Sequence, residues 1–516
     1  MSKNSVFIGV GYLLIIFVIF LIRGGVFLDP DFGWHLKMGE LITESGIPSN
    51  DPFSYTMKSF PFIDHEWLSN LIIYPIYKVV GYAGLAVIST ILVLVTMVIL
   101  AMTSSKSVNV KKVIFEELLI KNIDGKPLGP NFFVLLSLAV VLPFFGVRAQ
   151  VMSWFLLSIL AFIIFREGVW AKARFIVPII VLAWSNLHGS FAISVGVVAS
   201  FIFIRSLRTK KIDFTDLFIF LLSLLATVIN PYGIRLWYEV WMQASDGTLR
   251  WNIIEWMPSI FMLDIAYVSL LAFSTFLIFK YRKKFRAEYL FIYLAFLIQA
   301  LFSRRHVPLW VVISYPMTIK ILYFFYDEIK NIKGAIIKFQ QIYRYTWFLA
   351  LLIFIVQSFM SLKSAFSLKE EAFYPKEAII FLRENSTSGE VFSEYAWGGY
   401  LIWKLPEKKV FIDGRMPSWR WKDNPSGESS SAFEEYAGIV DGKKDYKGSF
   451  DKYKINTVLW PKEQRGELLD VLAKKVNALL TKREKEEVFD LLQELEKDGW
   501  QLMYEDRVAV IYQKGD

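Results

Sequence analysis

The chain has 516 residues, 55% of them hydrophobic and 17% aromatic, with a mean hydropathy of +0.42, too apolar for a water-soluble protein of ordinary charge content. Its net charge of +9 would suggest nucleic acid in a soluble protein. Here the basic residues sit in short loops between apolar runs, as membrane topology demands, so no nucleic-acid partner is expected. The absence of cysteine excludes a disulfide framework and thiol chemistry.

Apolar runs begin near residues 5, 80, 131, 150, 175, 190, 214, 264, 288, 307 and 346. Each is roughly 15 to 23 residues long, against the ~20 that cross a hydrocarbon core as a helix. The expected fold is a polytopic α-helical membrane protein of about eleven transmembrane helices. The first run, Ser5 to Ile22, follows one basic residue, Lys3, and leads into Arg23-Gly24-Gly25 with no small-x-small site, so it reads as an uncleaved first helix. The division expected is a membrane domain over 1–361 with a long first loop at 24–79, a linker at 362–373, and a soluble α/β domain over 374–516.

Lys and Arg gather in alternate loops: Lys106, Lys111, Lys112, Lys121 and Lys126; then Arg166, Lys172 and Arg174; then Arg205, Arg208, Lys210 and Lys211. The pattern continues at Lys280, Arg282, Lys283, Lys284 and Arg286, and at Lys330, Lys333, Lys338 and Arg344. The positive-inside rule makes these loops cytoplasmic. The N-terminus is then cytoplasmic and the C-terminal domain extracytoplasmic, in a multi-pass protein of the plasma membrane surrounded by membrane lipids.

The other loops fall on the outer face and hold different chemistry. The first reads DPDFGWH (29–35), IPSNDPFSYT (47–56) and DHEWLSN (64–70). Later come Arg148, NLHGSF (186–191), NPYG (230–233), IIEWMP (253–258) and SRRH (303–306). The chain's four histidines, His35, His65, His188 and His306, all fall on this side. With Asp29, Asp31, Asp64, Glu66, Arg148, Arg304 and Arg305 they imply a polar chamber where the outer helix ends converge. Ionisable groups at membrane depth cost about 2.5 to 3.5 kcal/mol each and so usually face a working cavity. Structural readings stand beside this one. Asp29, Asp51 and Asn230, each followed by proline, suit turn openings. Trp34, Trp67, Trp256 and Trp310 suit interfacial anchors, and the arginines could snorkel to headgroups.

In the C-terminal domain the pattern gives a helix at PKEAIIFLREN, a strand at EVFSEY, a Gly-Gly turn, strands at KKVFIDGR and INTVLW, amphipathic helices at 465–480 and 484–499, and a terminal strand pair. Trp397, Tyr400, Asp413 and Arg415 fall at strand ends or turns, where an α/β sheet tends to bind ligands, and are the candidates for acceptor contacts. A Gly-Gly helix start and a structural Asp-Gly turn are the alternatives. The polar stretch 419–431 is expected to be a mobile loop.

An acidic pair after the first helix, a long outer loop, many helices and an outer C-terminal domain together resemble the GT-C superfamily of membrane glycosyltransferases. That superfamily includes protein mannosyltransferases, aminoarabinose transferases and the catalytic subunit of oligosaccharyltransferase. The strings DPDFGWH, GIPSNDPFSYT, DHEWLSN and NLHGSF are similar to a group of prokaryotic dolichyl-phosphate-mannose-type transferases. The resemblance implies transfer of a sugar from a polyprenyl-phosphate donor to a glycan, lipid or protein acceptor on the outer face, with inversion. It implies Asp31 as the base, with Asp29 beside it. Pro30 separates the two where the family's transferase branches usually carry an adjacent pair, so the base stays open between them.

Donor and substrate contacts would come from His35, Asp64, His65, Glu66, Arg148, His188, Arg304, Arg305 and His306, the arginines suiting phosphate through their planar fork. No cofactor is certain. Asp29, Asp31, His65 and Glu66 have the donor types that suit Mg²⁺ or Mn²⁺, and monophosphate users in the superfamily often need no metal. EYAWGGYLIW (394–403) only partly matches the oligosaccharyltransferase string Trp-Trp-Asp-Tyr-Gly, so the resemblance does not extend to sequon recognition. A lipid-linked sugar transporter or flippase, or a non-catalytic assembly subunit, are the rival readings. A transporter should show inverted repeats and broken helices, and the sequence shows no convincing repeats.

Overall fold

Each apolar run becomes a helix. In the computed structural model, residues 3–105, 119–121, 127–166, 168–262, 264–329, 331–332, 334–385, 389–462 and 489–515 are described. Among them, Trp67–Ser104, Val169–Leu187, Phe191–Thr209, Arg304–Ile329 and Ile337–Ser367 are long and apolar enough to cross a membrane. The shorter apolar helices are Val10–Val26, Phe132–Phe144, Gln150–Phe165, Phe214–Ala226, Ile265–Lys280 and Ala287–Phe302. The chain is a multi-pass helical membrane protein.

Contacts group the chain into two units. The first is Met1–Phe27 with Ile63–Phe366, and the second is Leu28–Phe62 with Ser367–Asp516. The sequence-based division kept the whole loop 24–79 with the membrane helices, whereas contacts place 28–62 with the C-terminal residues.

In the first unit, Arg304–Ile329 is the central helix: 78% of its apolar window is buried, against 33–44% for the other long helices. Phe132–Val141 is apolar on every side and every residue of it is buried, as expected of a helix enclosed by others. Its start is fixed by Asn131, whose side chain accepts from the Phe133 N–H at 3.0 Å. Trp67–Ser104 is broken at Gly81, where φ is +65° and ψ −170°, a conformation that suits glycine. The piece after the break, at 1.5 Å per residue, is about 35 Å long and matches a bilayer core. The basic loops are tied by ion pairs: Arg174 to Asp213 (3.0 Å) and Asp216 (2.6 Å), Arg205 to Asp216 (2.5 Å), and Arg208 to Glu288 (2.9 Å).

The second unit contains a four-stranded sheet in the order Glu390–Ser393, Ile455–Pro461, Ala509–Gln513, Gln501–Glu505. The first pairing is parallel and the other two antiparallel. Lys376–Glu384 is the expected helix. The expected helix 465–480 and residues 484–488 of the next lie outside the described residues; Leu491–Lys497 is helical.

Two expectations are corrected here. KKVFIDGR is no strand of the sheet: Val410 forms an isolated parallel bridge with Ser54, with Val410 N donating to Phe53 O at 3.0 Å and Tyr55 N to Val410 O at 3.1 Å. The Gly-Gly pair is no turn: it opens the helix Gly398–Lys404, which packs on Phe32–Ser45. The backbones meet there, since a Cβ on Gly33 would lie 2.1 Å from Gly399 O, and one on Gly399 2.3 Å from Pro30 O.

The stretch 419–431 is held rather than loose. Trp419 stacks on Phe60 with ring centroids 4.7 Å apart, Trp421 N donates to Ser430 O at 2.9 Å, and Ser429 N donates to Thr56 O at 2.8 Å. Its Gly/Ser content suggested mobility, but its tryptophan found a buried aromatic partner.

Candidate functional site

Within the first unit, the strings DHEWLSN and NLHGSF close on each other. Trp67 Nε1 donates to Asn186 Oδ1 at 3.0 Å, and Ser69 Oγ to Leu187 O at 2.6 Å. Asp64 organises the start of the helix Trp67–Ser104, its carboxylate accepting from the Glu66 N–H at 3.0 Å and from Asn70 Nδ2 at 2.8 Å. It is buried and serves the backbone.

Glu66 lies just before that helix, beside two histidines. Its Oε1 lies 3.1 Å from His188 Nε2 and 3.9 Å from His65 Nε2. His188 Nδ1 accepts from the Ser190 backbone N–H at 3.1 Å and lies 2.7 Å from Ser190 Oγ. A backbone N–H can only donate, so this hydrogen bond assigns the proton of neutral His188 to Nε2, which donates to Glu66. Ser190 Oγ lies 2.9 Å from Ser153 Oγ, which accepts from Trp184 Nε1 at 3.0 Å. Gly189 makes room for His65, as a Cβ there would lie 2.6 Å from the ring. Burial first, and then the charge of Arg305, lower His65 to about 4, so its imidazole is neutral at physiological pH.

A cationic group is built from three other loops of the same unit, those of Arg148, Glu255 and Arg305. Arg148 Nη1 lies 2.6 Å from Glu255 Oε1. The Arg305 guanidinium sits over the Trp256 ring, 4.7 Å from its centroid. Arg148, foremost, and Arg305 hold Glu255 below the ordinary carboxylate range against the opposing effect of burial. The loops of Glu255 and Arg305 are joined by Arg304 N donating to Met257 O at 3.0 Å and Ser303 Oγ donating to Glu255 O at 3.3 Å. Arg304 is buried. His306 N donates to Ser303 O at 3.1 Å, and its ring Nδ1 is buried.

The remaining candidates belong to the second unit. Asp29 Oδ1 accepts from the Asp31 N–H at 2.9 Å, the turn-opening role suggested by its Asp-Pro sequence. Asp31 precedes the helix Phe32–Ser45 and lies over Gly414, where a Cβ would sit 1.9 Å from Asp31 Oδ1. His35, on that helix, lies against Trp34 with ring centroids 3.6 Å apart. Arg415 Nη2 lies 2.7 Å from Asp413 Oδ2 and 2.8 Å from Asp51 Oδ1, and its Nε donates to Asp413 Oδ1 at 2.8 Å. Burial would lower the guanidinium's pKa, but the two carboxylates raise it above the ordinary arginine value. Phe53, Phe62 and Trp419 surround it. Trp397 and Tyr400 are buried; Trp397 Nε1 donates to Phe373 O at 2.9 Å, and Tyr400 OH to Glu370 Oε1 at 2.9 Å while stacking on Tyr374. These four candidates form packing and buried polar contacts of their own unit.

Sequence reasoning passed over Glu255 and Asp51 as functional or ion-pair residues. Glu255 stood in the quoted IIEWMP string, and its place on the arginine-bearing face was the available signal. Asp51 carried only a turn signal.

Of the metal candidates, Asp29 and Asp31 belong to the second unit and His65 and Glu66 to the first. Among the described residues, no group of three or more His, Asp or Glu is placed to hold a metal ion.

No family model and no curated protein sequence matches the chain. Solved structures do. An oligosaccharyltransferase of Archaeoglobus fulgidus, tethered to an acceptor peptide containing the NVT sequon, aligns at TM-score 0.50 and 12% identity over 88% of this chain and 69% of that one. The Archaeoglobus fulgidus oligosaccharyltransferase AglB with an inhibitory peptide and a dolichol-phosphate aligns at 0.48 and 10%, over 89% and 70%. ArnT of Cupriavidus metallidurans bound to undecaprenyl phosphate aligns at 0.49 and 9%, over 99% and 98%. At these identities the likeness is one of fold alone, the fold of the Archaeoglobus fulgidus oligosaccharyltransferase.

Proposed function

We propose that this chain is a membrane glycosyltransferase that moves a hexosyl or pentosyl group from a polyprenyl-phosphate donor to an acceptor on the outer face of the membrane, with inversion. The observation that carries the reading is the Arg148–Glu255–Arg305 group in the unit that also holds the Glu66–His188 pair. Permanently charged guanidinium forks suit a phosphate ester, and a carboxylate can take a proton from an acceptor hydroxyl. In the reaction, the acceptor oxygen bonds to the sugar's anomeric carbon while the bond from that carbon to the phosphate oxygen breaks. The polyprenyl phosphate leaves with the electron pair, and the hydroxyl proton passes to the base. The concentration of Lys and Arg in alternate loops supports, by the positive-inside rule, an outer location for the chemistry and for the C-terminal unit.

Asp31 is the base that the family pattern implies. Glu66 is the second reading, favoured by its contact with His188. The test is turnover of radiolabelled polyprenyl-phosphate sugars by membranes containing the wild type, Asp31→Asn or Glu66→Gln. Turnover lost in Asp31→Asn, with folding and donor binding kept, assigns Asp31. Loss only in Glu66→Gln moves the base there, and no turnover of any donor by the wild type contradicts the transferase reading.

A further inference from the structure

The arginine group contains a carboxylate that phosphate recognition does not call for. Glu255 makes the shortest contact in the group, 2.6 Å to Arg148 Nη1, and the field of Arg305 also reaches it. Two cations beside an anionic substrate would ordinarily be left open to it. Instead, one is occupied by an internal anion.

We infer that Glu255 holds the place of the donor's phosphate: its carboxylate keeps the arginines poised and is displaced from Arg148 when the polyprenyl phosphate ester binds. This rests on the proposed role of Arg148 and Arg305. Three observations carry it. First, the Glu255 side chain is 42% exposed and that of Arg148 20%, so the carboxylate is the more open partner of the two. Second, its backbone is anchored separately. Ser303 Oγ holds the Glu255 carbonyl, Arg304 N holds Met257 O, and Trp256 lies under Arg305. The side chain can therefore rotate away while the turn and Arg305 stay in place.

Third, the exchange balances charge. A sugar linked through phosphate to a lipid is a phosphodiester with a single negative charge, like the carboxylate it replaces. After transfer, the polyprenyl phosphate is a monoester that carries up to two, with a second pKa near 6. The arginines hold that product more tightly, and Glu255 is the internal competitor that helps to expel it.

The test measures binding of undecaprenyl phosphate to the purified full-length protein in detergent, with inorganic phosphate and phosphatidylglycerol as separate arms. Removing the competing charge in Glu255→Gln is expected to tighten undecaprenyl phosphate binding about fivefold, the size of one partly exposed ion pair. Glu255→Asp keeps the charge but shortens its reach, and is expected to fall between the wild type and Glu255→Gln. If the glutamine variant does not fold, the aspartate variant carries the test with the same sign. Arg148→Gln is expected to weaken binding, and adding Glu255→Gln to it to bring no tightening. Unchanged or weaker binding in Glu255→Gln, with Arg148→Gln still weakened, overturns the inference and leaves the arginine site standing. Wild-type binding in Arg148→Gln overturns both. Tightening only for phosphatidylglycerol or inorganic phosphate also overturns the inference.

Discussion

His188 Nε2 lies 3.1 Å from Glu66 Oε1, and its other ring nitrogen is held by the Ser190 backbone N–H at 3.1 Å. The imidazole is fixed at both ends and presents a proton to a buried carboxylate. His188→Ala is expected to cost about 2 kcal/mol, the worth of a hydrogen bond to a charged group. A double-mutant cycle with Glu66→Gln should show coupling of about 1 kcal/mol or more. Thermal unfolding of the four proteins in detergent measures it, and additive effects would mean the contact carries no energy.

His65 gives a pH dependence. Its folded pKa is about 4 against an ordinary 6.5, so between those values the unfolded chain binds a proton that the folded chain does not. The contribution is fully present above the unfolded value and is lost as pH falls from about 6.5 to 4. At 1.36 kcal/mol per unit it amounts to about 2 kcal/mol once partial solvent exposure is allowed for. The wild type should lose more thermal stability than His65→Gln on going from pH 7 to pH 5. Parallel losses would contradict the assignment.

Gly33 and Gly399 bring two helices of the second unit into backbone contact, and a Cβ at position 33 would stand 2.1 Å from a carbonyl oxygen. Gly33→Ala is expected to destabilise by about 3 kcal/mol, at the high end for overpacking, since the opposing atom is backbone. Gly25→Ala, where nothing lies within 4 Å, is the control and should be neutral or slightly stabilising. Limited proteolysis of the C-terminal residues reports the difference.

Arg415 is buried between Asp51 and Asp413. Asp51→Ala is expected to cost about 3 kcal/mol, because removing one member of a buried pair leaves charge uncompensated. Arg415→Met, which leaves both carboxylates without it, should cost more. A smaller loss in Arg415→Met than in Asp51→Ala, read from unfolding temperatures, would contradict this.

What the sequence revealed followed the range of its signals. Apolar runs are local, and a helix such as Phe132–Val141, apolar on every side, announces its burial. The strand Ile455–Pro461 and the terminal pair were equally legible from alternation and turns. The break at Gly81 was hidden, because a glycine's φ leaves no mark on the pattern. So was the pairing of Ser54 with Val410, a contact between distant segments that each lack a partner-specific signal. The strings DHEWLSN and NLHGSF were visible as polar islands, but their mutual locking through Trp67 and Asn186 was not. Asp413 and Arg415 drew attention as a turn with charge, and their burial against Asp51 gives them structural partners. The Gly-Gly pair before Tyr400 reads locally as a turn, but the glycines open a helix, on which the Tyr400 ring stacks on Tyr374.

The most direct test of the central claim uses sealed proteoliposomes carrying the purified full-length protein, a radiolabelled polyprenyl-phosphate sugar and a mixture of candidate acceptors. The label and the free polyprenyl phosphate are followed together. The account predicts that label becomes covalently attached to an acceptor, that free polyprenyl phosphate appears in equal amount, and that both are reduced in Arg148→Gln. Label that crosses the membrane still attached to its lipid, with no polyprenyl phosphate released, would contradict transfer and establish transport.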